Sequence, residues 1–402
     1  MPAGEALQNT VLNMKRLQVI FVSKCEAISE AIMRCIWQYR EWPRVVWKAD
    51  ELLRPLGEAR LEQGKLLSRV AGLGFKLKDE AQADILTEEA LKTAAIEGEK
   101  LDPGQVRSSV ARRLGLPAAG LPPSNRSIDG LVEVLLDATQ NYSKPLTENR
   151  VKRWHAALFP AGQSGLRKIR AGKWRGAGDE MRVVSGPIGR EKIHYEAPPG
   201  EKLDKEMKRF FEWWKSSLRS EDGVLRSGMA HFYFVTIHPF EDGNGRIARA
   251  LTDMALAQDE ELPVRYYSLS SQIMEDRNDY YNILEKTQKT GPDITGWLEW
   301  YLKCYVRAVR KSEKLTARVM AKTDFWQAHR ETEVSQRQRK VINRLLDSGQ
   351  GEFKGGLTTR KYVSMTKTSR ATAFREISDL LEKGLLKQNK AKGRSVSYDL
   401  DW

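Results

Sequence analysis

The chemistry of this chain concentrates in one short run, His238-Pro-Phe-Glu-Asp-Gly-Asn-Gly-Arg-Ile-Ala-Arg249. His238 titrates near neutral pH and can accept a proton. Asp242 offers a hard oxygen ligand, suited to a Mg2+ shared with phosphate oxygens rather than to a self-sufficient metal cage. Gly243, Asn244 and Gly245 let the backbone turn tightly and approach a ligand. The helix that follows presents unpaired N–H groups and the positive end of its dipole at the same place. Arg246 and Arg249, three residues apart, project toward one anion, and two arginines imply more than one phosphate. A base, a metal carboxylate, an anion-binding loop and two arginines are the parts needed for transfer onto a hydroxyl at phosphorus. Spacing leaves open which phosphorus moves.

Those residues must be held by a helix, a loop and a second helix, because apolar runs at 229–237 and 248–256 flank them. Upstream, Leu52, Leu53 and Leu56, then Leu61, Leu66, Leu67 and Val70, recur at threes and fours and predict amphipathic helices over 49–100, punctuated by Gly72 and Gly74. Trp37, Trp42 and Trp47 around Pro43 predict irregular chain packed by aromatics. A Pro/Gly/Ser stretch at 115–127 reads as a surface loop ahead of a helix at 128–140. Val183 and Val184, then Ile193 and Tyr195, flank Gly186-Pro-Ile-Gly189 like the arms of a hairpin, the one hairpin expected before the C-terminal region. Trp297, Trp300, Tyr301, Cys304 and Tyr305 form a helical stripe that predicts core, and the helix is expected to run on through 307–322.

The bulk numbers bound the class. A chain of 402 residues holds two or three cores. With 41% hydrophobic and 30% charged residues the composition is that of a soluble globular protein. No apolar run approaches the ~20 residues of a membrane-spanning helix. Residues 15–22 fall short of an export signal because Lys24 interrupts them. Cys25, Cys35 and Cys304 show neither a disulfide framework nor a zinc spacing, which fits a reducing cytoplasm. Net charge is +14, favouring an anionic partner, and residues 336–402 carry 15 basic against 7 acidic residues, more than half of that excess. Helices at 339–346 and 371–381, then strands at 385–388 and 395–400 around Lys392-Gly393, follow the order of a winged helix. Its recognition helix is expected to begin near Thr366 or Thr368 and to carry Arg370 and Arg375, with Lys390, Lys392 and Arg394 on the wing. DNA is therefore a candidate partner, beside an acidic protein surface.

At residues 238–249 the chain resembles the Fic family, whose pattern H-P-F-x-[DE]-G-N-G-R-x-x-R it matches at every defined position. The resemblance implies that His238 deprotonates a target hydroxyl and that Asp242 holds Mg2+. Asn244 and the loop amides of Gly243 and Gly245 would bind the α-phosphate, and Arg246 and Arg249 the outer phosphates. AMP would pass from ATP to a Ser, Thr or Tyr hydroxyl of a protein, the enzyme itself included, and pyrophosphate would leave. The hairpin at 183–199 resembles the family's flap, which pairs by backbone with the segment being modified. Tyr280 and Tyr281 correspond to a tyrosine pair near the nucleotide base. The likeness runs over most of 37–310, beginning with Trp37-Gln-Tyr-Arg-Glu-Trp-Pro43. Residues 1–32 fall outside it, and Met33 is a candidate start.

Thr93-Ala-Ala-Ile-Glu97-Gly98 resembles the family's inhibitory pattern [ST]-x-x-x-E-[GN]. It implies a helix that presents Glu97 to Arg249 as a bidentate pair and so competes with the γ-phosphate. The expected architecture is mainly α. It comprises an N-terminal extension (1–36), a helical module with the inhibitory segment (37–127), a Fic core with a flap hairpin (128–310), a linker helix (311–335) and a winged helix (336–402). A membrane partner is not expected, and homo-oligomers are left open. Rival readings are removal of AMP, transfer of another phosphate-containing group, and a DNA-binding regulator that senses nucleotide without turnover.

Overall fold

The computed structural model describes residues 17–21, 34–71, 75–117, 120–185, 192–348, 353–389 and 396–402. Gly72, Gly74, the expected hairpin turn Gly186 to Gly189 and the expected wing residues Lys390, Lys392 and Arg394 lie outside them. The chain divides into two compact units. One comprises residues up to Lys65 and Gln82–Val309; the other comprises Leu66–Ala81 and Arg310–Trp402.

In chain order the elements are β1 (Leu17–Phe21), α1 (Ala49–Ala71), α2 (Phe75–Ile96), α3 (Pro103–Arg113), α4 (Arg126–Gln140) and α5 (Glu148–Leu158). There follow β2 (Gln163–Ser164), β3 (Arg167–Lys168), β4 (Met181–Ser185), β5 (Lys192–Glu196), α6 (Leu203–Ser216), α7 (Gly223–Ile237) and α8 (Asn244–Glu260). Then come α9 (Leu269–Glu275), α10 (Arg277–Gln288) and α11 (Thr295–Ala328). The protein is mainly helical, as its periodicity predicts.

The first unit is built around α7. Every residue from Val224 to Ile237 is buried, most of them apolar and the polar Arg226, Ser227 and His231 hydrogen-bonded, and Asp222 caps the start of the helix by accepting from the N–H groups of Val224 and Leu225. Helix α11 seats against it. A Cβ at Gly228 would stand 2.6 Å from the Tyr301 ring, so glycine lets the two helices close. Trp297 Nε1 then donates to the Gly228 carbonyl at 2.9 Å. Trp297, Tyr301, Cys304 and Tyr305 are buried as expected, while Trp300 stays partly exposed.

Several boundaries differ from the sequence expectation for local reasons. Helix α4 starts at Arg126 rather than at residue 128, because Asn125 caps it by accepting from the Ile128 N–H at 2.9 Å. Helix α11 runs without a break from Thr295 to Ala328, so nothing in the secondary structure interrupts it at residue 310. A second hairpin, β2–β3, pairs Gln163 with Lys168 and Ser164 with Arg167. Its two-residue arms are too short to leave a period-2 signal. Strand β1 pairs antiparallel with β4, from Leu17 opposite Ser185 to Phe21 opposite Met181, in a segment expected to be an N-terminal extension outside the family resemblance.

The second unit adds α12 (Gln336–Ser348), α13 (Thr359–Thr366), α14 (Arg370–Glu382), β6 (Leu386–Gln388) and β7 (Tyr398–Leu400). Val341, Ile342, Leu345, Tyr362, Ile377 and Leu380 form its core. Helix α14 begins later than expected, at Arg370. Lys367, at φ +56°, closes α13, and the Ser369 side chain accepts from the Thr372 N–H.

Candidate active site

Residues 238–243 form the loop between α7 and α8, as their composition predicts, and its ends are set by two left-handed residues. His238, at φ 51°, caps α7, and Gly243, at φ 78°, caps the start of α8. A Cβ at Gly243 would meet the Phe159 ring at 2.8 Å, so glycine is required for packing as well as for φ. Asn244 ties the loop to itself. Its amide oxygen accepts from the Phe240 N–H at 3.0 Å, and its amide nitrogen donates to the Phe240 carbonyl at 2.8 Å. Both polar atoms of the side chain thus help to shape the loop.

His238 Nδ1 donates to the Val235 carbonyl at 3.2 Å, which leaves Nε2 as the acceptor. Burial pushes its pKa down to about 4, and the Arg175 charge acts in the same direction. The imidazole is therefore neutral and competent as a base throughout the physiological range. Removing the Glu97 charge, which raises this pKa, lowers it further. A phosphoryl-transfer rate that depends on His238 should be flat from about pH 7 down to about 5.5 and fall only as pH approaches about 4. A pH–rate profile with its acid limb near the ordinary histidine value of 6.5 would contradict this assignment.

Asp242 is oriented from two directions. Its Oδ2 accepts from Ser164 Oγ of β2, and its Oδ1 accepts from the Gly243 N–H at 2.5 Å. Arg246 Nη2 stands 3.8 Å from the same Oδ1. The carboxylate is partly exposed and is the group in this loop that could hold a hard cation. Among the described residues no cluster of three or more His, Cys, Asp or Glu forms a metal cage.

Arg249 is buried, and its guanidinium faces the end of α2. Nε donates to Thr93 Oγ1 at 2.6 Å, and Nη2 donates both to the Thr93 carbonyl at 3.0 Å and to Glu97 Oε1 at 2.7 Å. The contact with Glu97 is thus through one oxygen, not the bidentate pair expected, because Thr93 occupies Nε. Nη1 is buried with no hydrogen-bond partner among the described residues. Glu97 also fills the ground above Gly245, where a Cβ would lie 2.1 Å from its Oε1. Arg246 is engaged in the same way by a residue the sequence reading passed over: its Nη1 donates to Glu99 Oε2 at 3.1 Å. Its guanidinium rests on the Phe159 ring at 4.8 Å.

The two carboxylates are aimed by Gly98. Helix α2 ends at Ile96, one residue before Glu97, so Glu97 caps the helix instead of lying on its face. The Glu99 N–H returns to the Ala94 carbonyl at 3.0 Å and the Gly98 N–H to the Ala95 carbonyl at 3.0 Å, a Schellman closure that needs the left-handed φ of 82° at Gly98. No atom lies within 4 Å of a Cβ built there. Gly98→Ala therefore costs only backbone strain, roughly 1–2 kcal/mol, and should let Glu97 and Glu99 swing off the arginines. The expected result is a several-fold rise in basal phosphoryl transfer with a small drop in Tm, while Gly98→Asn, which tolerates this φ, keeps the wild-type rate.

Helix α2 is clamped where it matters. Buried Glu89 accepts from Ser268 Oγ at 2.7 Å and from the Ser270 N–H at 3.1 Å, and Arg277 Nε donates to the Ile96 carbonyl at 2.9 Å. Tyr281 OH reaches that same carbonyl at 3.3 Å, while Tyr280 is buried and its OH lies 2.9 Å from His231 Nε2. Both tyrosines thus border the Arg249 and Glu97 region.

Two further residues support the loop without any sequence signal beyond their type. Buried Arg175 donates from Nε to the His238 carbonyl at 2.9 Å, and also to the carbonyls of Asp179 and Pro198. His155 accepts from the Gly172 N–H at Nδ1 and donates from Nε2 to the Asp242 carbonyl at 3.1 Å, stacked on Phe240 at 3.9 Å. The flap strands β4 and β5 pair as expected. A bulge at Val183/Val184 leaves His194 outside the ladder, where its Nδ1 meets Glu285 at 2.5 Å. Tyr195 OH donates to the Thr236 carbonyl at 2.7 Å, fixing the flap beside the end of α7.

Residues 145–256, from the approach to α5 through most of α8, match the family model described as Fic/DOC family. Residues 35–116 match a model described as a domain of unknown function, DUF4172. The protein adenylyltransferase Fic of Nematostella vectensis is 25% identical over 276 residues, 67% of this chain and 57% of that protein. The uridine 5'-monophosphate transferase of Xanthomonas campestris pv. campestris (strain 8004) is 30% identical over 122 residues, 28% of this chain and 21% of that protein. The chain spans about half the length of the curated adenylyltransferases it matches. The crystal structure of a Fic family protein from Desulfovibrio desulfuricans G20 shares the fold at 20% identity, with a TM-score of 0.50 over 89% of this chain and 98% of that one. Among the described residues no helix is long and apolar enough to cross a membrane.

Proposed function

We propose that this chain, a member of the Fic/DOC family, transfers AMP from ATP to a Ser, Thr or Tyr hydroxyl of a protein, itself included, and is held inactive by Glu97. The observation that carries this reading is the meeting of a free His238 Nε2 and two arginines at one helix–loop–helix, with Glu97 on Arg249 and Glu99 on Arg246.

The hydroxyl oxygen attacks the α-phosphorus, its proton passes to His238 Nε2, and the bond to the β-phosphate breaks to release pyrophosphate. Arg246 and Arg249 hold the outer phosphates, the first-turn N–H groups of α8 face the charge on the transferring group, and Asn244 keeps the loop in shape. Asp242, oriented by Ser164, would hold Mg2+, which when bound neutralises phosphate charge. The flap offers backbone to the target segment. Tyr281, whose OH reaches the Ile96 carbonyl next to Glu97, is suited to face the base.

Glu97 takes one donor of the guanidinium meant for the γ-phosphate, so ATP and the carboxylate compete. Glu99 extends the same logic to Arg246, which makes the brake two carboxylates on two arginines. Intact-protein mass spectrometry of Glu97→Gly, incubated with Mg2+ and either ATP or UTP, tests the reading. Addition of one AMP residue with ATP supports it. Addition with UTP alone would move the reading to uridylyl transfer, the activity named in the Xanthomonas relative.

A further inference from the structure

The surface around α13 and α14 of the second unit is basic. Lys340 and Arg344 on α12, Arg360 on α13, Lys367 in the turn, and Arg370 and Arg375 on α14 are all exposed. None makes an ion pair among the described residues. The acidic side chains nearest in sequence are occupied: Glu376 takes Arg337 and Tyr362 OH, and Asp379 takes Gln338 and Lys383. Arg375 also acts electrostatically on Glu376, and the concentration of exposed positive charge on one small unit favours a polyanionic partner.

The geometry of the helices narrows the polyanion. Helices α13 and α14 are joined by only Lys367, Thr368 and Ser369, with Lys367 in the left-handed conformation that permits so sharp a turn. Ala373, Ile377 and Leu380 bury one side of α14, and the opposite side is free. On that free side Phe374 is 62% exposed, between Arg370 one turn earlier and Arg375 beside it. The ring is flanked by the groups that would neutralise phosphates. A helix of ~10–12 Å diameter fits the ~12 Å major groove of B-DNA, where a phenyl ring can meet a thymine methyl, whereas the deep, narrow groove of A-form RNA excludes it.

We propose that the second unit binds double-stranded DNA, with α14 in the major groove, Arg370 and Arg375 on phosphates and Phe374 against base edges. Lys340 and Arg344 line a groove together with Met365 of α13, and their charges add to the phosphate contacts.

The test uses the full chain and fluorescence anisotropy with a mixed-sequence DNA duplex across a salt series. Wild type should bind, and Arg370→Ala/Arg375→Ala should lose about tenfold or more in affinity. That variant should also flatten the slope of log K against log salt by roughly two, about 0.9 for each phosphate contact. Phe374→Ala should weaken binding without changing the slope, because it removes no charge. Lys205→Ala/Lys208→Ala, an equal charge loss on exposed positions of α6, serves as control and should bind like wild type. Circular dichroism spectra and Tm of all variants should match those of the parent, which shows that they are folded. Equal losses in the control, no loss in either α14 variant, or equal affinity for duplex RNA would each overturn the proposal.

Discussion

Glu97→Gly should raise AMP transfer by about tenfold or more, the range expected when a coupling of ~1–3 kcal/mol between a brake and a ligand is removed. The expectation follows from what the substitution changes and what it leaves. Arg249 Nη2 loses the Glu97 oxygen at 2.7 Å but keeps the Thr93 carbonyl, and Nε keeps the Thr93 hydroxyl, so the guanidinium stays where it is. The helix end also survives. The Schellman bonds run from Gly98 and Glu99 to Ala95 and Ala94, and none uses the Glu97 side chain. What is gained is a cationic donor and the space above Gly245 that Oε1 now fills. ATP should accordingly raise the Tm of Glu97→Gly more than that of wild type. Glu99→Gln should have a smaller effect in the same direction, since Glu99 is nearly half exposed and its bond to Arg246 is longer, at 3.1 Å. Label incorporation from ATP reads all three proteins. A Glu97→Gly rate equal to wild type would place the brake elsewhere.

The second large effect is loss of the base. In the Glu97→Gly background, His238→Asn should lower the transfer rate by roughly 10²–10⁴-fold, the usual contribution of a positioned general base. Asparagine is the informative replacement because His238 sits at φ 51°, a conformation that asparagine tolerates and alanine resists. A fall in rate with an unchanged Tm then reports chemistry rather than a collapsed loop. ATP affinity should hold, since the phosphates are assigned to Arg246, Arg249 and the start of α8. If His238→Asn turned over at the parent rate, proton acceptance by His238 would be wrong, whatever the state of Glu97.

The amino-acid sequence by itself determined the catalytic loop and the helices that bear it. His238, Asp242, Gly243 and the two arginines sit within a few turns of one another, so residue type, a glycine at the turn and apolar runs on both sides specify their arrangement locally. The aromatic stripe on α11 was legible for the same reason, since helical period is a property of neighbouring residues. The Thr93 to Gly98 segment was legible in part: Thr93 and Glu97 could be named and both meet Arg249, but the contact of Glu99 with Arg246 could not. Gly98 ends the helix early and turns both Glu97 and Glu99 toward the arginines.

What only the tertiary structure decided are the partnerships between distant segments. Glu99 meets Arg246 across 147 residues and Arg175 meets the His238 carbonyl across 63. Ser164 reaches Asp242 from a hairpin whose strands are two residues long. A glutamate after a helix, an arginine in a loop and a serine in a short turn are ordinary surface residues by composition. They become part of the site because packing of α2, α5 and α8 brings them within hydrogen-bond range, and that range is set by the fold, not by any spacing along the chain.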